Sequence, residues 1–369
     1  MKNPYNEAVE LPSEDLIEIV PAGERQKRDV VEAQEVPGFD NIEVKITLQK
    51  KPKRGAFERN QDNVLADPET GLVGVFDGVG GRDHGEKASL AAERYLPEHF
   101  QSFLKKMKNL DVQRIIQRIV DIMQIKLKQI SLPHLVKELE DKIKKDLEKI
   151  AETDPEILKK TIALLLALNE TGENVFATGG RTTACVGITH QAPNGKTYAI
   201  IANVGDSGAF IRRADGSVEM LTRDDALLNQ MLSEGLLDEK LLKKMRKNPK
   251  KVFEIKKGER NIPITYHDIK RQIGAVLGSE APDSIPYKPS LEIHRLIEGD
   301  ELFFATDGIL DHFEVDDEPD LHGLEYTLAH LNYGEDSLDA LREEAVQRAF
   351  MRKTYKRPDD IAAVKVALK

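Results

Sequence analysis

The sequence predicts a layered α+β domain with helices covering sheets. Two observations carry this. Short apolar runs bounded by turn residues recur along the chain, and long stretches with apolar residues at helical spacing lie between them. Ile42, Val44, Ile46 and Leu48 alternate with polar residues, the period of a half-buried strand. Further strands are expected at 72–76, 182–188, 198–204, 209–211, 302–305 and 361–368, several of them buried on both faces.

Helices are expected at 88–103, 226–245 and 337–351. Val112, Ile116, Ile119, Met123, Leu127 and Ile130 mark another, and Leu135, Leu139, Ile143, Leu147 and Ile150 one more. A further helix starts at Asp154-Pro155 and is expected to run to about Leu168. Asp is a good N-cap, and proline is harmless in the first helical turn, where its missing N–H has no partner to lose. Residues 1–40 are rich in Glu, Asp, Pro and Val without a sustained period and are read as a mobile acidic segment. No repeat of 20 to 50 residues is visible.

Composition narrows the function classes. The 369 residues are 40% hydrophobic, enough for a sizeable core, and the net charge of −10 argues against general nucleic-acid binding. One cysteine, Cys185, excludes an internal disulfide and lies in an expected strand, as a core residue would. It also lacks the C-x-x-x-x-x-R setting of a cysteine phosphatase. The first ten residues lack a secretion pattern and no apolar run approaches membrane-spanning length, so no membrane partner and a cytoplasmic location are expected.

Three aspartates border apolar strands: Asp77 in GVFDGVGG, Asp307 in LFFATDGILD and Asp359 in RPDDIAAVKV. Asp-Gly also suits an ordinary turn, which is the simpler reading of any one of them. Three carboxylates at sheet edges have another use. If they converge they repel one another unless a cation sits between them, and hard divalent cations prefer oxygen ligands.

GVFDGVGG, TGGRTTACVGI, IANVGDSGAF, LTRDD, IGAVLGSE, GDELFFATDGILD and RPDDIAAVKV occur in this order. Together they resemble the ordered motifs of the metal-dependent protein phosphatases, the protein phosphatase 2C-like serine/threonine phosphatases. The resemblance covers about residues 41–369 and is interrupted by a helical insertion at about 104–172. It implies a four-layer α-β-β-α sandwich of two antiparallel sheets flanked by helices, with that insertion added. It also implies two cations, Mn²⁺ or Mg²⁺, at one end of the sandwich and direct attack by metal-bound hydroxide on the phosphoserine or phosphothreonine of a phosphorylated protein substrate. Asp77 would bridge the cations, Asp307 and Asp359 would complete one shell, and the Gly78 carbonyl and Gln61 would serve the other. Asp62 would join the water network.

The chain departs from the family pattern in three places. Gln61 stands where glutamate is usual and brings an oxygen without a charge. Phe57 stands where a phosphate-binding arginine is common, leaving Arg54 and Arg59 as displaced candidates. Val79 stands where many eukaryotic relatives have histidine. His84 is nearby, though a loop histidine is commonly just solvated. The first two departures keep open an alternative, a catalytically weak scaffold or binding protein with the phosphatase fold. The insertion is either a docking element for a partner or extra packing.

Overall fold

The computed structural model describes residues 41–47, 60–79, 84–108, 154–222, 235–257, 260–266, 289–315, 318–330, 337–351 and 360–367, with isolated positions 111, 114, 228, 231–232, 269 and 276–278. In chain order the early elements are β1 (Asn41–Thr47), β2 (Asp62–Ala66), β3 (Leu72–Val79), α1 (Gly85–Met107), α2 (Pro155–Ala177), β4 (Arg181–Thr182) and β5 (Ala184–Gln191). Then come β6 (Thr197–Val204), β7 (Gly208–Arg212), β8 (Val218–Met220), α3 (Glu239–Lys247), β9 (Phe253–Lys257) and β10 (Arg260–Ile264). The chain continues with β11 (Ser290–Leu296), β12 (Glu301–Ala305), α4 (Asp307–Leu310), β13 (Glu314–Val315), β14 (Glu318–Pro319), α5 (Leu321–His330), α6 (Ser337–Met351) and β15 (Ile361–Ala367).

Two sheets form the centre. One has the order β1-β15-β12-β7-β8, and the other β11-β6-β5-β3-β2 with β4 paired to β3. The strand pairs within them are antiparallel. Strand side chains alternate faces with period two, and this sorts the apolar residues into layers. Val73 and Val75 of β3 pack between the sheets with Phe304 of β12 and with Ala362 and Val364 of β15. Their neighbours Leu72 and Phe76 face the other way, against Leu96 and Phe100 of α1 and Leu164 of α2. On the opposite sheet Phe303, Ile361 and Ala363 face Leu324 of α5 and Leu341 of α6. Layers therefore stack helix, sheet, sheet, helix, as the resemblance implied. Gly187 makes the inter-sheet fit possible, because a Cβ there would lie 2.7 Å from the Phe304 ring.

The strands expected within the described residues are present, except that the one expected at 182–188 is broken at Thr183 into β4 and β5, and α6 has its expected bounds. Asp154 caps α2 as expected, its Oδ1 accepting from the Glu156 N–H at 2.9 Å. Three further expectations need correction. The helix expected to end near Leu168 continues to Ala177, because Thr171 and Val175 keep the buried stripe going. The helix expected at 226–245 is not continuous: Gly235 adopts φ of 68°, and Asp238 caps a new helix, α3, through the Leu241 N–H. Residues 155–172, expected inside the insertion, belong to the sandwich's own helix layer, where Leu158, Leu164 and Leu168 are buried. The helices expected at 112–130 and 135–150 and the acidic segment 1–40 lie outside the described residues.

Candidate active site

Strand parity decides which polar side chains meet at the end of the sandwich. Val73 and Val75 face the gap between the sheets, so Asp77, two residues on, shares that face. On β2 the same holds for Val64 and hence for Asp62, which lies directly opposite Asp77 in the antiparallel register. Leu302 and Phe304 place Thr306 on the inward face of the other sheet. Ala362 and Val364 do the same for Asp360.

The two sheets are tied together at this end by polar contacts. The Thr306 hydroxyl donates to Asp62 Oδ2 at 2.8 Å, from one sheet to the other. The Gln61 N–H donates to Asp360 Oδ2 at 3.1 Å, again between sheets. Thr306 is fixed in turn by β15: its N–H donates to the Ala362 carbonyl at 3.1 Å, and its oxygen accepts from the Ala362 N–H at 3.0 Å. Asp307 follows immediately and opens α4, held half-buried at the same mouth. Gly308 must be glycine, since a Cβ there would lie 1.9 Å from the Asp360 carbonyl oxygen.

Asp77 sits in a dense backbone frame. Its N–H donates to Thr183 Oγ1 at 3.0 Å, and its carbonyl accepts from the Thr183 N–H and the Thr182 hydroxyl, each at 2.8 Å. Thr183 Oγ1 is 2.6 Å from Ser207 Oγ, which links the VGDSG turn to Asp77. Thr182 and Thr183, the last two residues of TGGRTT, thus act through the position of Asp77.

Gln61 and Gly78 have the opposite parity and face the start of α1. A Cβ on Gly78 would meet the Gly85 carbonyl oxygen at 2.4 Å and the Gln61 carbonyl oxygen at 2.6 Å. A Cβ on Gly85 would lie 2.8 Å from both Gln61 Nε2 and the Gly78 carbonyl oxygen. The Gln61 carboxamide and the Gly78 carbonyl therefore border one small space beside Gly85. His84 holds a left-handed backbone with φ of 90°, and its carbonyl fills the space that a Cβ on Gly180 would need.

The structure thus brings Asp77, Gly78, Asp307, Asp62 and Gln61 to one end of the sandwich. Asp359, Arg54 and Arg59 lie outside the described residues. Among the described residues no three acidic, histidine or cysteine side chains close on one point. The expected set includes Asp359, the immediate neighbour of Asp360. Two residues were missed at the sequence level. Asp360 follows Asp359 directly, so the pair gave a signal that was read as its first member alone. Thr306 precedes Asp307 and carried no signal beyond its position. Cys185 is fully buried between the sheets, and burial pushes its thiol pKa up, which rules it out as a nucleophile.

The donors at this mouth are carboxylates, a carboxamide and a backbone carbonyl. This all-oxygen set suits a hard divalent cation.

A core of two antiparallel sheets with acidic groups at one mouth defines a class, and the comparisons agree with it. Residues 53–353 match the protein phosphatase 2C family model. The chain belongs to that family. Among solved structures it resembles the Mycobacterium tuberculosis serine/threonine phosphatase PstP/Ppp, at 18% identity and TM-score 0.50, over 89% of this chain and 98% of that one. It also resembles the Mycobacterium smegmatis phosphatase MsPP, solved with cacodylate, at 16% identity and TM-score 0.50, over 92% and 100% of the two chains. No curated protein sequence matches it.

Proposed function

We propose that the protein hydrolyses phosphoserine or phosphothreonine in other proteins with two divalent cations, Mn²⁺ or Mg²⁺, at the mouth of the sandwich. Asp77 would serve both cations, Asp307 and Asp359 one of them, and the Gly78 carbonyl and Gln61 the other. When bound, such a pair supplies charge that activates water and neutralises phosphoryl oxygens. Asp62, held by Thr306, would orient the attacking water, and Thr182 and Thr183 would hold Asp77 against displacement. The observation supporting the reading is the Asp62–Thr306 contact, which joins the end of the β2–β3 pair to the residue before Asp307. Release of phosphate from phosphothreonine peptides with and without Mn²⁺ tests it. No metal-dependent release by wild type would sink it.

Gln61 favours a second reading, a scaffold with little catalysis, because a neutral carboxamide borders the space where the family has a carboxylate. Metal-dependent turnover of an aryl phosphate separates the two. Arg54 and Arg59 remain the proposed phosphate contacts, and the stretch between Met107 and Asp154 the proposed partner-docking insertion. We also propose a cytoplasmic location. Among the described residues no helix is long and apolar enough to cross a membrane.

A further inference from the structure

Between β8 and β11, the described apolar residues from Leu228 to Ile269 stand apart from the sandwich core. Met231, Leu237, Leu242, Met245, Ile255 and Ile264 form a hydrophobic cluster of their own, around α3 and the β9–β10 hairpin. Its charge runs against that of the whole chain. Residues 239–257 contain eight lysines and one arginine against two glutamates, a net +7 within a chain of net −10.

Helix geometry gathers this charge on one side. Leu242 and Met245 face the small core, while Lys240, Lys243, Lys244 and Lys247 recur at the spacing of a single helix face and are exposed. Lys250 and Lys251 extend the exposed face into the turn after α3, with Lys251 over the Phe253 ring at 5.7 Å. Among the described residues none of these six lysines has an ion-pair partner. Two acidic residues of the segment are engaged elsewhere: Asp238 caps α3, and Glu254 accepts from Asn261.

The small core is flanked in sequence by two residues, Thr222 and Leu277, that are held beside the candidate active site. At the start, Thr222 Oγ1 accepts from the Ala209 N–H at 2.9 Å. A Cβ on Gly208 would touch both Thr222 and Leu310 of α4, the helix that Asp307 begins. At the end, Leu277 pairs through two backbone hydrogen bonds with Thr182, whose hydroxyl donates to the Asp77 carbonyl. The segment that carries the cationic face is thereby anchored, before and after it, to residues beside the candidate active site.

We propose that this lysine face selects substrates, binding acidic residues that flank the phosphorylated side chain. This rests on the phosphatase reading and adds a substrate class to it. A negatively charged protein repels acidic segments at long range, and a local cationic face offsets that repulsion and guides them to the rim. The chemistry favours a peptide over a nucleic acid. The six charges are ammonium groups rather than guanidinium forks, and among the described residues no exposed aromatic ring accompanies them for base stacking.

The test uses the full chain with Mn²⁺, three phosphothreonine peptides with acidic, neutral or basic flanks, and an aryl phosphate. Wild type should show kcat/KM about tenfold higher for the acidic-flank peptide than for the neutral one, mostly in KM and reduced at high salt. A variant carrying Lys243→Glu, Lys244→Glu, Lys247→Glu and Lys250→Glu should reverse the preference and turn over the aryl phosphate like wild type. Equal rates on acidic and neutral peptides by wild type, or a preference that survives in the variant, would overturn the proposal. If wild type hydrolyses nothing, the phosphatase reading fails by itself. Fluorescence anisotropy of an unphosphorylated acidic peptide then decides docking: binding by wild type and loss in the variant support it, and no binding overturns it. Equal or tighter binding of a single-stranded DNA of the same charge would show an unselective polyanion surface and also overturn it.

Discussion

The Thr306 hydroxyl stands between the two sheets, donating to Asp62 Oδ2 at 2.8 Å while its oxygen accepts from the Ala362 N–H at 3.0 Å. Both Thr306 and Asp62 are buried, so water cannot readily replace either bond. Thr306→Val keeps the shape and removes both. It should destabilise the fold by about 1–3 kcal/mol, the cost of leaving buried polar groups without their partner. Thr306→Ser should recover most of the loss. Chemical unfolding of the three proteins checks this, and a Thr306→Val variant as stable as wild type would show that the contact does not join the sheets energetically.

Asp307→Asn should nearly abolish activity and leave the metal-free fold equally or more stable. Asp307 lies at the same end of the sandwich as Asp62, Asp77 and Asp360, and like charges gathered at one end repel when no cation is present. Removing one relieves the repulsion, while an amide is a poorer ligand for a hard cation. Aryl-phosphate turnover and thermal unfolding in EDTA read the two effects separately. Wild-type turnover at saturating Mn²⁺ would remove Asp307 from the site.

Much of this site was legible because β-strand parity is simple. The apolar run LVGVF marks a strand that runs into Asp77, and once Val73 and Val75 are known to face inward, period two places Asp77 with them; the Asp-Gly pairs mark strand ends. Other elements were hidden for physical reasons. β2 is five residues long with polar Asp62 and Asn63 at its start, and Asn63 is buried against α1, where its amide lies 2.7 Å from the Ser89 hydroxyl. β11 reads SLEIHRL, with none of its first five residues fully buried, so it has no clean alternation. The helix expected at 226–245 had the right apolar spacing, but the Gly235–Asp238 break serves a separate small core that spacing alone does not reveal.

Asp154 caps α2 and also pairs with His190 at 2.8 Å. Burial would raise its pKa, but the hydrogen bonds from His190 and the Glu156 N–H outweigh this and hold it below the ordinary 3.8. A depressed carboxyl stabilises the fold fully above its unfolded value, and the contribution is lost as pH falls through the folded value. Asp154→Ala should cost about 1–2 kcal/mol at neutral pH through the lost cap. Asp154→Asn keeps a cap and removes the charge, so its deficit relative to wild type should shrink below pH 3.8. Urea unfolding across that range checks the sign. A deficit that grows with acid would contradict the assignment.

Gln61→Glu should tighten the second cation and weaken the metal-free fold. Gln61 Nε2 and the Gly78 carbonyl oxygen each lie 2.8 Å from the position a Cβ on Gly85 would take, so the carboxamide and the carbonyl border the same space. A carboxamide can present its nitrogen to a carbonyl without repulsion, whereas a carboxylate there places oxygen against oxygen. The backbone N–H of the same residue already donates to the Asp360 carboxylate, and Asp62 is the next residue. A new negative charge at 61 therefore meets acidic neighbours on two sides, and the metal-free variant should melt below wild type. A divalent cation reverses the sign, because the added charge then faces a positive centre and offsets repulsion between two cations in a partly dry site. The Mn²⁺ concentration for half-maximal activity should fall, while the maximum rate changes less. Melting temperature in EDTA and in excess Mn²⁺, measured on both proteins, gives a readout independent of turnover: the variant's deficit in EDTA should close or invert with Mn²⁺. A deficit that Mn²⁺ leaves unchanged, together with an unaltered Mn²⁺ requirement, would place Gln61 away from any cation and remove it from the proposed ligand set.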